Sequence, residues 1–349
     1  MGCIKKWMPI ILAIVFSTGG GIVAAGSPQF TAMFAFGDSL TDPGNNNYLN
    51  SLAKANYVPY GVDFDQGPSG RFCNGKTAID YIGDLLGNPI LPAYTSLTTT
   101  GKNVLRGVNY ASAAGGILEE TGRNLGERFS LSQQVENFES TMNQLRSQMT
   151  DEEMSIYLSK ALVVMCLGSN DYINNYLQPT FYTTSYIYSP KDYADLLINR
   201  YTWQILALHS LGLRKFFLGG IGPLGCIPNQ LAANLPPPGK CVDYTNNVVG
   251  MFNNGLVSLV DQLNFKYNGS VFAYGNIFGA FTDILNNAKI YGGNDSNGEE
   301  YLGCYGDGGP NRVVGTGIGS NAENGQILWA GVGDAGSAFG NGSAQQINE

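Results

Sequence analysis

The sequence predicts an α/β domain in which a central parallel sheet lies between two helical layers, and three observations carry that expectation. Short apolar runs recur at 33–36, 162–167, 215–218 and 271–274, and a glycine closes each of them: Gly37, Gly168, Gly219 and Gly275. Between the runs, 131–149, 193–211 and 242–263 carry apolar residues three and four apart, the period of a helix with one buried face. No repeat of 20–50 residues, charge run or proline-rich linker splits the chain. Parallel strands need crossover helices, and a sheet buried on both faces reads as continuous apolar runs, so the alternation spells a three-layer α/β/α domain.

In chain order, the first 25 residues read as a secretory signal. Lys5 and Lys6 form a basic start, an apolar run follows over 7–16, and Val23, Ala24 and Ala25 supply small residues at its end. The run is shorter than the roughly 20 apolar residues a bilayer span requires. The domain is then expected over 26–292, followed by a glycine-rich tail over 293–349 that holds 15 of the 47 glycines.

In a parallel sheet the ligand sits beyond the carboxyl ends of the strands, which makes the segments after each run the place to look for chemistry. The first is Gly37-Asp38-Ser39-Leu40 with Thr41-Asp42-Pro43-Gly44 behind it. A serine directly after a strand can present its hydroxyl at the mouth of the sheet, with a following helix start aiming N–H groups at the same point. The same serine could equally be an ordinary helix cap. Gly168-Ser169-Asn170-Asp171 follows the second run, and an asparagine amide there is a donor suited to an oxyanion. Between the two, residues 107–117 form a small-residue loop whose glycines permit close approach of backbone N–H groups to a ligand.

Composition narrows the function. With 19 Lys+Arg against 27 Asp+Glu the formal charge is −8, so a partner bound through phosphate neutralisation is excluded. One histidine in 349 residues excludes sites that need two imidazoles, and no metal or organic cofactor is expected. With 44% hydrophobic residues and 40 aromatics in the chain, a large core is within reach. Removing the signal takes Cys3 with it and leaves Cys73, Cys166, Cys226, Cys241 and Cys304 in an oxidising compartment. Cys226 and Cys241 flank a proline-rich loop and are the expected bridge, Cys166 lies in an apolar run as a buried thiol, and the odd total leaves one thiol over. Asn268, Asn294 and Asn341 head sequons for glycosylation.

Taken together, Phe34-Ala35-Phe36-Gly37-Asp38-Ser39-Leu40, Arg71-Phe72-Cys73-Asn74-Gly75, Val108-Asn109-Tyr110-Ala111-Ser112, Leu167-Gly168-Ser169-Asn170-Asp171-Tyr172 and Gly220-Ile221-Gly222-Pro223-Leu224-Gly225-Cys226 strongly resemble the plant-type GDSL esterase/lipases of the SGNH hydrolase superfamily. The resemblance extends from Phe30 to Gly292. It implies a secreted serine ester hydrolase acting on a small-molecule or lipid ester through an acyl-enzyme. Ser39 would be the nucleophile, and the oxyanion hole would come from its own N–H, the Gly116 N–H and the Asn170 amide, with Gly115 the alternative glycine.

The family's closing block, an Asp-x-x-His that supplies the base, has no counterpart here. The nearest echo, Asp334-Ala335-Gly336-Ser337, places serine where the imidazole belongs. His209 ends the helix that leads into the third run, which puts it at the sheet's amino edge; it is expected to be a structural helix-end residue, favoured there by the helix dipole. Without a base a serine hydroxyl is a weak nucleophile, and about 10³- to 10⁴-fold catalysis over water survives from oxyanion hole and binding alone. Two readings follow: an ester hydrolase with an impaired proton transfer, or a relative that binds lipids or esters without turnover.

Overall fold

In the computed structural model, which describes residues 30–287, the four apolar runs become strands and a fifth joins them. They are β1 (Met33–Gly37), β2 (Gly107–Asn109), β3 (Leu162–Cys166), β4 (Lys215–Gly219) and β5 (Val271–Gly275), all parallel, in the order β2-β1-β3-β4-β5. β2 is a correction, since 107–117 read wholly as a loop. Three residues are too few to show a period, and pairing depends on a glycine. A Cβ on Gly107 would lie 1.7 Å from Met33 O.

The helices begin where side-chain caps satisfy their first N–H groups. Thr77 and Asp80 form a capping box on α1 (Ala78–Leu85). Ser130 caps α2 (Leu131–Leu145), and Thr150 with Glu153 caps α3 (Asp151–Ser159), so the predicted helix over 131–149 stops four residues early. Ser189 caps α4 (Pro190–Ser210), whose first residue is the proline that position tolerates. Val242 precedes α5 (Asp243–Lys266), and Asn276 caps α6 (Ile277–Asn286).

Strand alternation divides the core. Phe34 and Phe36 of β1, Val163 and Met165 of β3, and Phe216 and Leu218 of β4 face a large cluster shared with Val135 and Phe138 of α2, Tyr201 of α4 and Phe252 of α5. Phe36 stacks on Tyr110 at 5.2 Å, and Phe34 meets Phe138 edge-on at 5.0 Å. Met33, Ala35, Leu162, Val164 and Phe217 point the other way, onto a smaller cluster that includes Ile79 of α1. Each fully buried Phe or Leu contributes about 1.5–3 kcal/mol, so the β1 pair alone fixes which way that strand faces.

The chain leaves β1 for β2 on one side and continues from β3 toward β5 on the other. That reversal opens a crevice between the carboxyl ends of β1 and β3. The Cys226–Cys241 bridge forms as expected beyond β4, and Cys166 is unbridged. Asn268 is exposed. The signal segment, the tail, Cys304, Asn294 and Asn341 lie outside the described residues.

Candidate active site

Ser39 follows β1 directly and lies in that crevice, 5% exposed, with a buried Oγ that has no hydrogen-bond partner among the described residues. No helix starts at Ser39, contrary to the sequence expectation. The chain makes a turn in which Thr41 N and Asp42 N donate to Asp38 O at 3.1 and 2.9 Å. Asp42 then takes over, its Oδ1 accepting from Gly44 N at 2.7 Å and Asn45 N at 2.6 Å, while Pro43 holds its predecessor out of the helical region. The turn requires glycine at 37, because a Cβ there would lie 1.8 Å from Thr41 Oγ1.

A second device holds Gly37 from below. Gln134 of α2, fully buried, accepts from Gly37 N at 2.9 Å through Oε1 and donates from Nε2 to Gly37 O at 2.9 Å and Phe129 O at 3.0 Å. Its signal in the sequence is a polar residue on the apolar face formed by Leu131, Val135 and Phe138.

The loops after β1 and β2 are welded by amide and carboxylate groups. Asn45 Nδ2 donates to Asn109 O and Ala111 O, and Asn46 Nδ2 donates to Ala113 O. Asn109 Nδ2 donates to Thr41 O, and Asp42 Oδ2 accepts from Ala113 N. Arg71, from the second of the family-like blocks, pairs with Asp80 at 2.8 Å and donates to Pro43 O, which ties the post-β1 loop to α1.

The β3 end closes the arrangement. Asn170 Nδ2 donates to Gly115 O at 2.8 Å, its Oδ1 accepts from Asn174 Nδ2 at 2.8 Å, and Ser112 N donates to Gly37 O at 3.1 Å. Asp171 accepts from Ile117 N, Leu118 N and Thr121 Oγ1 at 2.7–3.0 Å. A Cβ on Gly116 would lie 2.4 Å from Thr121 Cγ2 and 2.7 Å from Asp171 Oδ1, so the loop packs this closely only as glycine. Asn170 is thus bonded to the loop that carries Gly115 and Gly116, and that loop is tied through Ser112 to Gly37, two residues before Ser39. Asp42, Asn45, Asn46, Asp171 and Gln134, which hold these loops, went unassigned in the sequence reading.

Three carboxyls are fully buried in this region, and burial dominates their protonation. It pushes Asp38 up to about 7, aided by the nearby charges of Asp171 and Asp42. Asp42 and Asp171 rise to about 6, burial outweighing the N–H groups that favour their charged forms. Burial, with Asp38 close by, also pushes the Cys166 thiol up to about 12, which keeps it an inert thiol.

His209 stands at the opposite edge. It ends α4, its Nε2 hydrogen-bonds Ser270 Oγ at 2.9 Å just before β5, and its ring packs 4.7 Å from Tyr267. Burial and then Arg214 lower its pKa, so the ring is neutral rather than the cation a helix terminus would favour.

Comparison with known proteins accords with this geometry. The sequence profile described as GDSL-like Lipase/Acylhydrolase matches residues 33–309, running past Gly292. The chain belongs to the GDSL lipase/acylhydrolase family. An Arabidopsis thaliana GDSL esterase/lipase is 53% identical over 289 residues, covering 82% of this chain and 75% of the relative. A second from that plant is 52% identical over 270 residues, covering 77% and 72%. GDSL esterase/lipase 7, also from Arabidopsis, is 48% identical over 287 residues, covering 81% and 78%. The three-layer fold is that of the GDSL/SGNH domain, and among the described residues no helix is long and apolar enough to cross a membrane.

Proposed function

We propose that this chain is a secreted hydrolase of carboxylic esters that works through an acyl-enzyme on Ser39. The observation that supports it most is the placement of a buried, unpartnered Ser39 Oγ at the switch point between β1 and β3, beside the Gly115–Gly116 and Asn170 segments. Oγ attacks the ester carbonyl and gives up its proton, which leaves on the alcohol as the C–O bond breaks; water then adds to the acyl–Ser39 ester, releasing the acid and returning a proton to Oγ. Developing negative charge on the carbonyl oxygen is met by the N–H groups of Ser39 and Gly116 and by the second amide hydrogen of Asn170, whose first is held by Gly115 O. Gly115 is the weaker choice of glycine because its own N–H donates to Ser112 O. Secretion is supported by the basic and apolar N-terminal segment and by the Cys226–Cys241 bridge.

The proton of Oγ has no imidazole to receive it, since the sequence holds one histidine and that ring lies at the amino edge. Acylation is therefore slow, with roughly 10³- to 10⁴-fold acceleration over water. The same observation favours a second reading, in which the site binds an ester or lipid without turning it over. Hydrolysis of a short-chain p-nitrophenyl ester separates the two. The hydrolase reading expects the chain to outrun its Ser39→Ala variant, whereas equal rates with retained ligand binding in both select the binding protein.

A further inference from the structure

The segments that leave the carboxyl ends of β1, β3 and β4 are unusually poor in charge. Residues 43–62, 172–189 and 220–242 hold two charged side chains between them, Lys54 and Lys240, although the chain has 19 basic and 27 acidic residues. Six of their large apolar side chains stand well out of the core. Tyr48 and Leu52 after β1 are 68% and 61% exposed, Phe181, Tyr186 and Ile187 after β3 are 64%, 77% and 65% exposed, and Leu235 after β4 is 82% exposed.

Single exposed apolar residues need no explanation, but a contiguous patch does. Main-chain and side-chain bonds make the post-β1 and post-β3 segments neighbours. Leu52 N donates to Leu125 O at 2.8 Å and Glu127 N to Asn50 O at 2.9 Å, which joins the post-β1 loop to 124–127. Tyr182 Oη donates to Asn124 Oδ1 at 2.9 Å, which joins 124–127 to the post-β3 loop, and Tyr176 Oη donates to Tyr188 O at 3.0 Å within it. These two segments thus form a joined rim that follows the carboxyl ends of β1 and β3, the first of which leads into Ser39.

We propose that this rim is a docking surface for an uncharged lipid–water interface, so that the ester enters the site from an aggregated phase. The inference rests on the ester-hydrolase reading for its substrate but not for the surface itself. Of the post-β3 tyrosines, Tyr172 and Tyr176 are buried, while Tyr186 is exposed and Tyr182 and Tyr188 are partly so. An apolar ring with a polar tip suits the level between acyl chains and water. A protein partner would call for arginine anchors, and none of the three segments holds an arginine. An anionic membrane would call for a basic cluster, and two lysines in a chain of net charge −8 do not make one.

The test is flotation of the full chain, unmodified and as Ser39→Ala, with triolein droplets coated in phosphatidylcholine. Both are expected to float, and equally so at low and high salt. Replacing Phe181→Ser together with Ile187→Ser is expected to reduce partition about tenfold or more. Both side chains are mostly exposed, and an unchanged melting temperature verifies the fold. Phe265→Ser, 91% exposed near the end of α5 at the amino edge, is expected to leave partition unchanged. The proposal is overturned by no flotation, by binding that needs anionic lipid or vanishes with salt, by equal loss in Phe265→Ser, or by a lipid-free dimer that the Phe181/Ile187 pair disrupts. Flotation without Ser39-dependent hydrolysis of p-nitrophenyl acetate removes the hydrolase reading and leaves the surface standing. Hydrolysis without flotation does the reverse.

Discussion

The two edges of the sheet use polar side chains in opposite ways. At the carboxyl edge, Asp42, Asn45, Asn46, Asp171 and Gln134 are buried and turned onto loop backbone, so that irregular chain is held by side-chain bonds, while Ser39 Oγ has no partner among the described residues. At the amino edge, His209 sits among Tyr267, Phe216 and Phe272 with its nitrogen on Ser270, and it organises no loop. Buried polar groups must be satisfied wherever they occur, but at the first edge their partners are the backbone groups of several loops, which ties those loops together. The contrast teaches that what a buried polar side chain does for the fold depends on whether its partners are loop backbone or a single neighbouring side chain.

The contrast can be broken hardest at Asp171. Asp171→Ala strands two loop N–H groups and the Thr121 hydroxyl, and is expected to cost about 3–5 kcal/mol in urea unfolding. A loss similar to that of a surface change would show that the carboxyl edge is not held as described. Gln134→Leu keeps the apolar packing of α2 but removes the clamp on Gly37, with an expected loss of about 2–4 kcal/mol by the same measurement. Gly116→Ala forces Thr121 and Asp171 apart, and a drop of about 1–3 kcal/mol is expected from the overpacking.

A graded effect comes from the raised carboxyls. An acid whose pKa is higher folded than unfolded binds more protons in the folded state, so its contribution to stability is complete below the unfolded value near 4. It is lost as pH rises through the folded values of about 6 to 7. The urea midpoint is therefore expected to fall between about pH 4 and pH 7, and Asp38→Asn to flatten that slope. The smallest change is expected at His209: His209→Phe fills the same aromatic pocket, gives up one partly buried hydrogen bond, and shifts stability by about 1 kcal/mol or less. Any Ser39-dependent esterase rate should be untouched, and a lost rate would mean that this imidazole reaches the site.

Much of this was legible residue by residue. Ser39 and Asn170 each follow an apolar run that forms a strand, whereas the Gly115–Gly116 step follows the short β2 that no spacing reveals. Gln134 was visible as a polar interruption in an apolar stripe but had no reason to be assigned to Gly37, 97 residues away. Asp42 and Asp171 stood beside the assigned residues and looked like turn chemistry, because a carboxylate that accepts local N–H groups and one that braces a distant loop have the same sequence signature. β2 escaped because its three residues carry no period, and the turn at Ser39 was taken for a helix start because Asp42 and Pro43 redirect the chain through bonds that hydrophobic spacing does not encode.

The sequence by itself determined the alternation of strand and helix, the family-like blocks, the bridge between Cys226 and Cys241 and the presence of a single imidazole, since all of these rest on local spacing and residue identity. Only the tertiary structure decided the strand order, and with it the crevice between β1 and β3, the burial that raises Asp38, Asp42 and Asp171, and the distance of His209 from Ser39's edge. Those depend on which strands pair and which faces are covered, and such pairings are fixed by contacts between residues far apart in the chain.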